Sequence, residues 1–263
     1  MKIWYQSASS YGYEPVWEVY GKTLEKKCRS IVGPDDTVHV AGIPVMVRDV
    51  ENWKYIQYFQ NVQILRNMRK AQEQGFDAFV IGCTLDVGLQ EGRSMLEMPV
   101  IGINEASYHA AMMLGRKYTF VTSSMAFVHV YEELIERYGV GTRYLASRYI
   151  ASATEEEIAL ALEEPRALID KFTMVARQAI ADGASVIIPA PAFYSALMHH
   201  AGITQIDGAV VLDTIAVAVQ TAKMMIGLQR AGISVARLSG VYAKPDQQSE
   251  QQMLSRLTGE FYV

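Results

Sequence analysis

The stretch AQEQGFDAFVIGC (residues 71–83) runs from the end of a helical pattern through a glycine into an apolar strand, and AIADGASVIIPAP (residues 179–191) repeats it. Gly75 and Gly183 match as helix caps, where a left-handed backbone favours glycine. The two copies begin 108 residues apart, at Ala71 and Ala179. This internal repeat predicts two related lobes within one chain.

Short apolar segments alternate with helix-period segments along the rest of the chain. Such alternation predicts right-handed βαβ crossovers and an α/β fold: two pseudo-symmetric lobes, each a parallel sheet flanked by helices. We expect residues 1–104 and 208–263 to form the first lobe and residues 105–207 the second. Ligands bind beyond the carboxyl ends of parallel strands, so the site is expected in the cleft between the lobes. The predicted strands are Lys2–Tyr5, Thr37–Ala41, Ala78–Ile81, Val100–Gly102, Tyr118–Thr122, Tyr144–Tyr149, Val186–Ile188 and Val210–Leu212.

Composition excludes several classes of protein. The 263 residues carry a net charge of −4, which argues against a nucleic-acid partner. No run of apolar residues is long enough to span a membrane, and the N-terminus has no signal-peptide pattern, so we expect a cytoplasmic protein. Two cysteines cannot build a disulfide framework or a multi-cysteine zinc site. No glycine-rich nucleotide motif and no metal-spaced histidines occur, which predicts neither cofactor nor metal.

Cys83 stands at the carboxyl end of a predicted strand and shortly before a helix that starts near Gly88. Backbone N–H groups and a helix start both stabilise a thiolate, so this position predicts a lowered thiol pKa and an acid–base or nucleophilic role. The alternative is that Cys83 only fills space, as buried cysteines often do. Cys28 lies in an amphipathic segment and is interpreted as a packing residue.

Five segments resemble the aspartate/glutamate/hydantoin racemase superfamily, especially its hydantoin-racemase-like branch. The resemblance implies two pseudo-symmetric lobes and cofactor-free proton transfer at a carbon beside a carbonyl or carboxylate. It also implies one cysteine from each lobe, one removing the proton and the other delivering it. The segments are DAFVIGCTLDVGL (77–89), PVIGINEAS (99–107), FVTSS (120–124), VIIPAPAFYSAL (186–197) and VVLDTIAVAVQTAKM (210–224).

The second cysteine of that pattern is missing, because the internal register pairs Cys83 with Pro191. Tyr194 pairs with Asp86, and its hydroxyl is a candidate for the missing acid or for a donor to a substrate oxygen. An isomerase that uses one cysteine on a small cyclic imide or carboxylic acid is the first interpretation. A hydrolase or desulfurase with a nucleophilic cysteine, a decarboxylase, and a non-catalytic ligand-binding relative remain as alternatives.

The remaining candidates are substrate-binding residues for a small molecule. Gln6 and Ser7 follow the first strand, where the resemblance puts the loop that binds the substrate carboxylate. Asp86 is expected to cap the helix near Gly88, and Glu105 matches the family's glutamate but also suits a helix start. The polar tail, residues 242–263, suggests a homo-oligomer. Further candidates are Thr84, Leu85, Thr122, Ser123 and Ser124 as oxyanion donors, and Pro191 and Ala192 in the second lobe.

Overall fold

The computed structural model describes residues 1–150, 161–236 and 243–258, whose strands form two sheets. The first sheet contains β1 (Lys2–Gln6), β2 (Thr37–Ala41), β3 (Ala78–Ile81) and β4 (Val100–Gly102). Its order is β2-β1-β3-β4, and all neighbouring strands are parallel. The side chains of β3 are buried throughout, as expected for a central strand covered on both faces.

The second sheet contains β5 (Tyr118–Thr122), β6 (Arg148–Tyr149), β7 (Val186–Pro189), β8 (Gln205–Ile206) and β9 (Ala209–Val211). Its order is β6-β5-β7-β9-β8, and only β8 is antiparallel to its neighbour. The predicted strand Tyr144–Tyr149 is shorter than expected, because Tyr144 forms only an isolated bridge to Tyr118. The α/β fold with two helix-flanked lobes is confirmed.

Nine α-helices in the described residues connect the strands and cover the sheets. In the first helix the buried residues include Tyr20, Leu24 and Cys28, whose four-residue spacing makes one stripe. The helices are α1 (Glu18–Ile31), α2 (Lys54–Glu73), α3 (Leu89–Met95), α4 (Ile103–Leu114), α5 (Met125–Arg137), α6 (Arg166–Ala181), α7 (Ala192–His200), α8 (Thr214–Arg230) and α9 (Gln247–Thr258).

The two sheets repeat the same local register. The N–H of Gly82, after β3, donates to the carbonyl of Gln6, and the N–H of Ala190, after β7, donates to the carbonyl of Val121. Gly75 and Gly183, which precede these strands, have φ of 68° and 99°, the left-handed region expected for the caps. Cys83 and Pro191 are therefore the residues that follow equivalent bonds in the two lobes.

The expected lobe boundary near residue 208 needs a correction. Strand β9, which was assigned to the first lobe, pairs with β7 in the second sheet. The chain returns to the first lobe at α8, which packs against α1, α4, β3 and β4. Asp213 caps α8 and forms an ion pair with Lys27 of α1, so this return is fixed at its start.

Within the described part of the chain, no helix combines the length and apolar content needed to cross a bilayer. The same residues contain no group of three His, Cys, Asp or Glu side chains suited to a metal ion. The tail proposed for subunit contacts is described only from residue 243 to residue 258, where it contains α9. Its remaining residues, 242 and 259–263, lie outside the described residues.

Candidate functional site

A cavity of about 460 Å³ lies at the carboxyl ends of the central strands, between the two lobes. The loop after each of β1, β3, β5 and β7 contributes to it, as expected for parallel sheets that meet at their carboxyl ends. Nine of the residues predicted from the sequence line it: Ser7, Cys83, Thr84, Leu85, Ser123, Ser124, Pro191, Ala192 and Tyr194.

Cys83 is only partly buried, and its thiol borders the cavity. Burial raises the pKa of this thiol to about 12, and the negative charges of Asp86 and Glu51 add to the rise, whereas a backbone hydrogen bond from Leu85 opposes it. The expected lowering of the pKa is therefore wrong: desolvation outweighs the backbone donor. Cys83 therefore carries its proton at neutral pH.

Gln6 does not line the cavity, contrary to the prediction. Its side chain is fully buried, and its Nε2 donates to the carbonyls of Ser7, Ala41 and Gly42. Its Oε1 accepts from Trp4 and Asn67. Every hydrogen-bonding atom of the amide is thus engaged within the first lobe. Gln6 fixes the loops after β1 and β2, whereas the cavity is reached by Ser7 and Ser9, whose hydroxyl oxygens lie 2.8 Å apart.

Asp86 also lies outside the cavity lining, because it caps a different helix from the one expected. Its carboxylate accepts from the N–H groups of Asn104 (3.0 Å) and Glu105 (2.8 Å) in the first turn of α4, and from the hydroxyl of Tyr138 (2.9 Å). Burial raises the pKa of Asp86 to about 6 although these three donors oppose the rise. The residue positions the cysteine loop against α4.

Glu105 and Thr122 complete the corrections. Glu105 forms a two-pronged ion pair with Arg93 of α3 and is not among the residues that line the cavity. Thr122 is fully buried at the end of β5. The hydroxyl of Tyr131 hydrogen-bonds the hydroxyl of Thr84. Burial raises the pKa of Tyr131, and the neighbouring hydroxyls of Thr84 and Thr122 oppose that rise. Glu105 and Thr122 therefore support the site without lining the cavity.

In the second lobe, Pro191 and Tyr194 occupy the start of α7. Pro191 holds the N-cap position, and Tyr194 lies in the first turn, fully buried, with its N–H bonded to the carbonyl of Pro191 at 2.9 Å. Its ring packs against Phe172 and Phe193. Cys83 thus faces a lobe in which the equivalent position has no titratable group and a tyrosine borders the cavity one turn later.

Sequence reasoning missed a whole wall of the cavity. The loop Ile43–Trp53, which follows β2, contributes six consecutive residues, Met46 to Glu51, and α2 contributes Gln57, Gln60 and Asn61. Trp17, just before α1, and Tyr20 of α1 also line the cavity, and the ring of Tyr20 lies 5.5 Å from that of Phe193. The sequence signal for this wall is the three-residue spacing of glutamines on α2. That spacing places the glutamines on one face of the helix, but it does not show which loop they bind.

Comparisons with known proteins agree with this geometry. Residues 18–222 match the sequence model of the family described as Asp/Glu/Hydantoin racemase. The chain is 30% identical to a hydantoin racemase of Rhizobium meliloti over 188 aligned residues. The alignment covers 69% of this chain and 72% of that protein. It is 28% identical over 194 residues to a hydantoin racemase of Pseudomonas sp. (strain NS671), covering 72% and 76%. The crystal structure of an allantoin racemase from Pseudomonas fluorescens shares the fold, with a TM-score of 0.77, 24% identity and coverage of 94% and 97%.

Proposed function

Because this chain belongs to the Asp/Glu/hydantoin racemase family, we propose that it racemises a small five-membered cyclic ureide of the hydantoin or allantoin class, with Cys83 as one of its acid–base groups. The observation that carries the proposal is the protonated, partly exposed thiol of Cys83 in the inter-lobe cavity. The volume of that cavity, about 460 Å³, suits a small molecule.

The chemistry of such a ring matches what a thiol can do. The carbon that carries the substituent is flanked by a carbonyl, so loss of its hydrogen gives an enolate whose negative charge rests on oxygen. A thiol that holds its proton at neutral pH can deliver that proton to one face of the carbon. Racemisation follows when the face that receives the proton differs from the face that lost it.

Two helix N-termini support this proposal, because their partial positive charge stabilises an enolate oxygen. Ser124 caps α5 by accepting the N–H of Phe127, and Pro191 holds the equivalent position of α7. Both residues line the cavity. The hydroxyl of Ser123 and the backbone of Thr84 and Leu85 are the remaining donors in the proposal.

Tyr194 has the role of a hydroxyl donor to a substrate oxygen in this scheme. It lines the cavity from the second lobe, one turn after the position that matches Cys83. Substitution by phenylalanine keeps the ring packing against Phe172 and Phe193 and removes only the hydroxyl. We expect Tyr194→Phe to lower kcat by about 10²-fold to 10³-fold, because the hydroxyl stabilises the enolate in this scheme.

The test follows single enantiomers of a 5-substituted hydantoin and of allantoin, with enzyme-free samples as the background. Loss of optical rotation and uptake of deuterium at the ring carbon in D₂O are measured together. We expect both in the wild type and in Cys28→Ala, and no loss of optical rotation above background in Cys83→Ala. Cys28 is the matched control because it is buried in α1 and does not line the cavity.

The same samples separate the alternatives. A hydrolase would open the ring and a decarboxylase would release carbon dioxide, whereas a racemase leaves the ring intact. A non-catalytic relative would bind ligand equally well before and after Cys83→Ala and turn over none. No loss of optical rotation above background with either substrate class would refute the racemase proposal.

We also propose that the protein is a cytoplasmic homo-oligomer. The support is a cluster of three aromatic side chains on the first turns of α2, Tyr55, Tyr58 and Phe59, which are 69%, 72% and 70% exposed. Large exposed apolar patches are typical of interfaces. Light scattering after gel filtration gives the mass directly, and we expect Tyr58→Lys to lower it. A monomeric mass for the wild type would contradict this assignment.

A further inference from the structure

The loop Ile43–Trp53 brings first-lobe residues to the second lobe. Its end, the helical turn Val50–Asn52, contacts α5, and just beyond it Lys54 lies 3.5 Å from Glu133 of α5. Met46 to Glu51 line the same cavity as Cys83. The loop therefore offers the cavity a wall that is distinct from the strand end carrying the thiol.

Glutamine side chains of α2 fix this loop by hydrogen-bonding its backbone groups, as a neighbouring strand would in a sheet. They satisfy backbone groups at three successive points of the loop, and a serine after β1 holds a fourth. An anchored loop can hold a catalytic side chain in place before substrate binds. The bonds are Gln63 with both backbone groups of Val45 (3.0 and 2.8 Å), Gln60 with the N–H of Val47 (2.7 Å), Gln57 with the carbonyl of Val50 (3.0 Å) and Ser10 with the N–H of Met46 (3.0 Å).

Two carboxylates border the cavity among the described lining residues, Asp49 and Glu51. Asp49 is exposed to solvent, whereas Glu51 is half-buried. The negative charge of Glu51 contributes to the raised pKa of both Cys83 and Tyr131, so its carboxylate lies within electrostatic range of the thiol. Cys83 holds its proton at neutral pH, so in the direction in which the thiol delivers its proton a different group removes the substrate hydrogen.

We propose, on the basis of the racemase function proposed above, that Glu51 is the second proton-transfer group and acts on the face of the substrate opposite Cys83. A carboxylate oxygen of Glu51 forms a bond to the hydrogen on the ring carbon, and the C–H electron pair moves into the adjacent carbonyl to give an enolate. The enolate carbon then takes the proton of the Cys83 thiol, which becomes a thiolate. The reverse reaction starts from this thiolate and from protonated Glu51, so no further reactant is needed.

The test isolates Glu51 by removing the thiol. In Cys83→Ser, Glu51 still takes the hydrogen from one enantiomer and returns solvent deuterium to the same face. We therefore expect deuterium uptake without inversion, for one enantiomer only. Adding Glu51→Gln to this variant should lower that exchange at least about 100-fold, the usual contribution of a general base. Cys83→Ser with Asp49→Asn is the matched control and should keep the exchange.

Equal exchange in Cys83→Ser with and without Glu51→Gln would overturn the role of Glu51 and leave the racemase proposal standing. Wild-type racemisation also gives a direct comparison: Glu51→Gln should lower kcat at least about 100-fold with little change in KM. Glu51→Asp, which keeps the carboxylate, should recover part of that loss.

A second readout does not depend on racemase activity. With Cys28→Ala as the background, iodoacetamide alkylates Cys83 at a rate set by its thiolate fraction. Removing the Glu51 charge should lower the thiol pKa and speed alkylation between about pH 8 and pH 10. Faster alkylation without any racemisation in the wild type would support the Glu51–Cys83 relationship and refute the racemase function. An unchanged alkylation rate would overturn the relationship itself.

Discussion

The hydroxyl oxygens of Thr84 and Tyr131 lie 2.8 Å apart, and the bond between them joins the loop after β3 in the first lobe to α5 in the second. Thr84 directly follows Cys83, so this bond helps to fix the position of the thiol relative to the second lobe. A second bond across the cleft, from the Tyr138 hydroxyl to the Asp86 carboxylate at 2.9 Å, lies at the other end of the same loop. The cysteine loop is thus held from both lobes.

Tyr131→Phe tests the first of these bonds. The ring stacks on Phe120 and Phe127, and phenylalanine keeps that packing while it removes the hydroxyl. We expect the free energy of unfolding to fall by about 0.5–1.5 kcal/mol in urea denaturation. A double-mutant cycle with Thr84→Val should give a coupling energy of similar size, and additive losses would contradict a direct bond.

The raised thiol pKa predicts an unreactive cysteine in the free protein. A rise from 9.0 to about 12 lowers the thiolate fraction at pH 7 by about 10³. In a Cys28→Ala background, alkylation of Cys83 should therefore be about 10³-fold slower than that of a free thiol at pH 7, and it should keep increasing with pH past about pH 9. A plateau below about pH 8.5 would mean that the backbone donors outweigh burial.

Asp86 predicts a pH dependence of stability with a defined sign. Its folded pKa of about 6 lies above the ordinary value near 3.9, so the folded state keeps the proton longer than the unfolded state. The contribution of Asp86 to the free energy of unfolding is present at about pH 4 and is lost as the pH rises to about 6. The loss amounts to up to about 3 kcal/mol. We expect the free energy of unfolding of the wild type, relative to Asp86→Asn, to fall over that interval.

Asp86→Asn should also carry a pH-independent cost of about 1–3 kcal/mol, which adds to the pH-dependent difference, because the amide has one acceptor oxygen for the N–H groups of Asn104 and Glu105. Chemical denaturation at several pH values separates the two effects. A difference between the proteins that stays constant from about pH 4 to pH 6 would contradict the raised pKa.

Gly82, which precedes Cys83, leaves no room for a side chain. A Cβ atom there would lie 2.4–2.7 Å from the ring and hydroxyl of Tyr5, a fully buried side chain. Gly82→Ala should therefore lower the free energy of unfolding by about 1–3 kcal/mol and reduce activity by moving Cys83.

The matched control is Gly227→Ala, since Gly227 lies in the interior of α8 with nothing within 4 Å of the added atom. That change should raise stability by about 0.5–1 kcal/mol, because alanine loses less backbone entropy in a helix. Thermal melts of the two variants make the comparison. Equal melting temperatures would show that the contact with Tyr5 is relieved by movement of the backbone.

The local sequence was informative about the repeated strand and its cap. Gly75 and Gly183 adopt the left-handed backbone predicted for the two caps. The strands that follow them, β3 and β7, are buried on both faces, so the structure confirms both predicted segments. The same register correctly paired Cys83 with Pro191. The assignment of Val210–Leu212 to the first lobe failed because the sheet that a strand joins depends on partners far along the chain.

The candidate site divides in the same way. Residues within two positions of a strand end, such as Cys83 and Ser123, were predictable because the end of a parallel strand fixes where the following residues lie. Gln6 and Asp86 were misjudged because their hydrogen-bond partners, the side-chain amide of Asn67 and the backbone N–H of Asn104, are supplied by other elements. Polar residues near a strand end can face a ligand or satisfy backbone groups, and only the tertiary contacts distinguish these outcomes.

The sequence by itself determined the α/β class, the doubled lobe and the thiol at the strand end, since periodicity, glycine positions and apolar runs act through neighbouring residues. Only the tertiary structure decided that the thiol keeps its proton and that Glu51 shares its cavity. Desolvation and the charge of a distant carboxylate act through space, and the fold alone sets those distances.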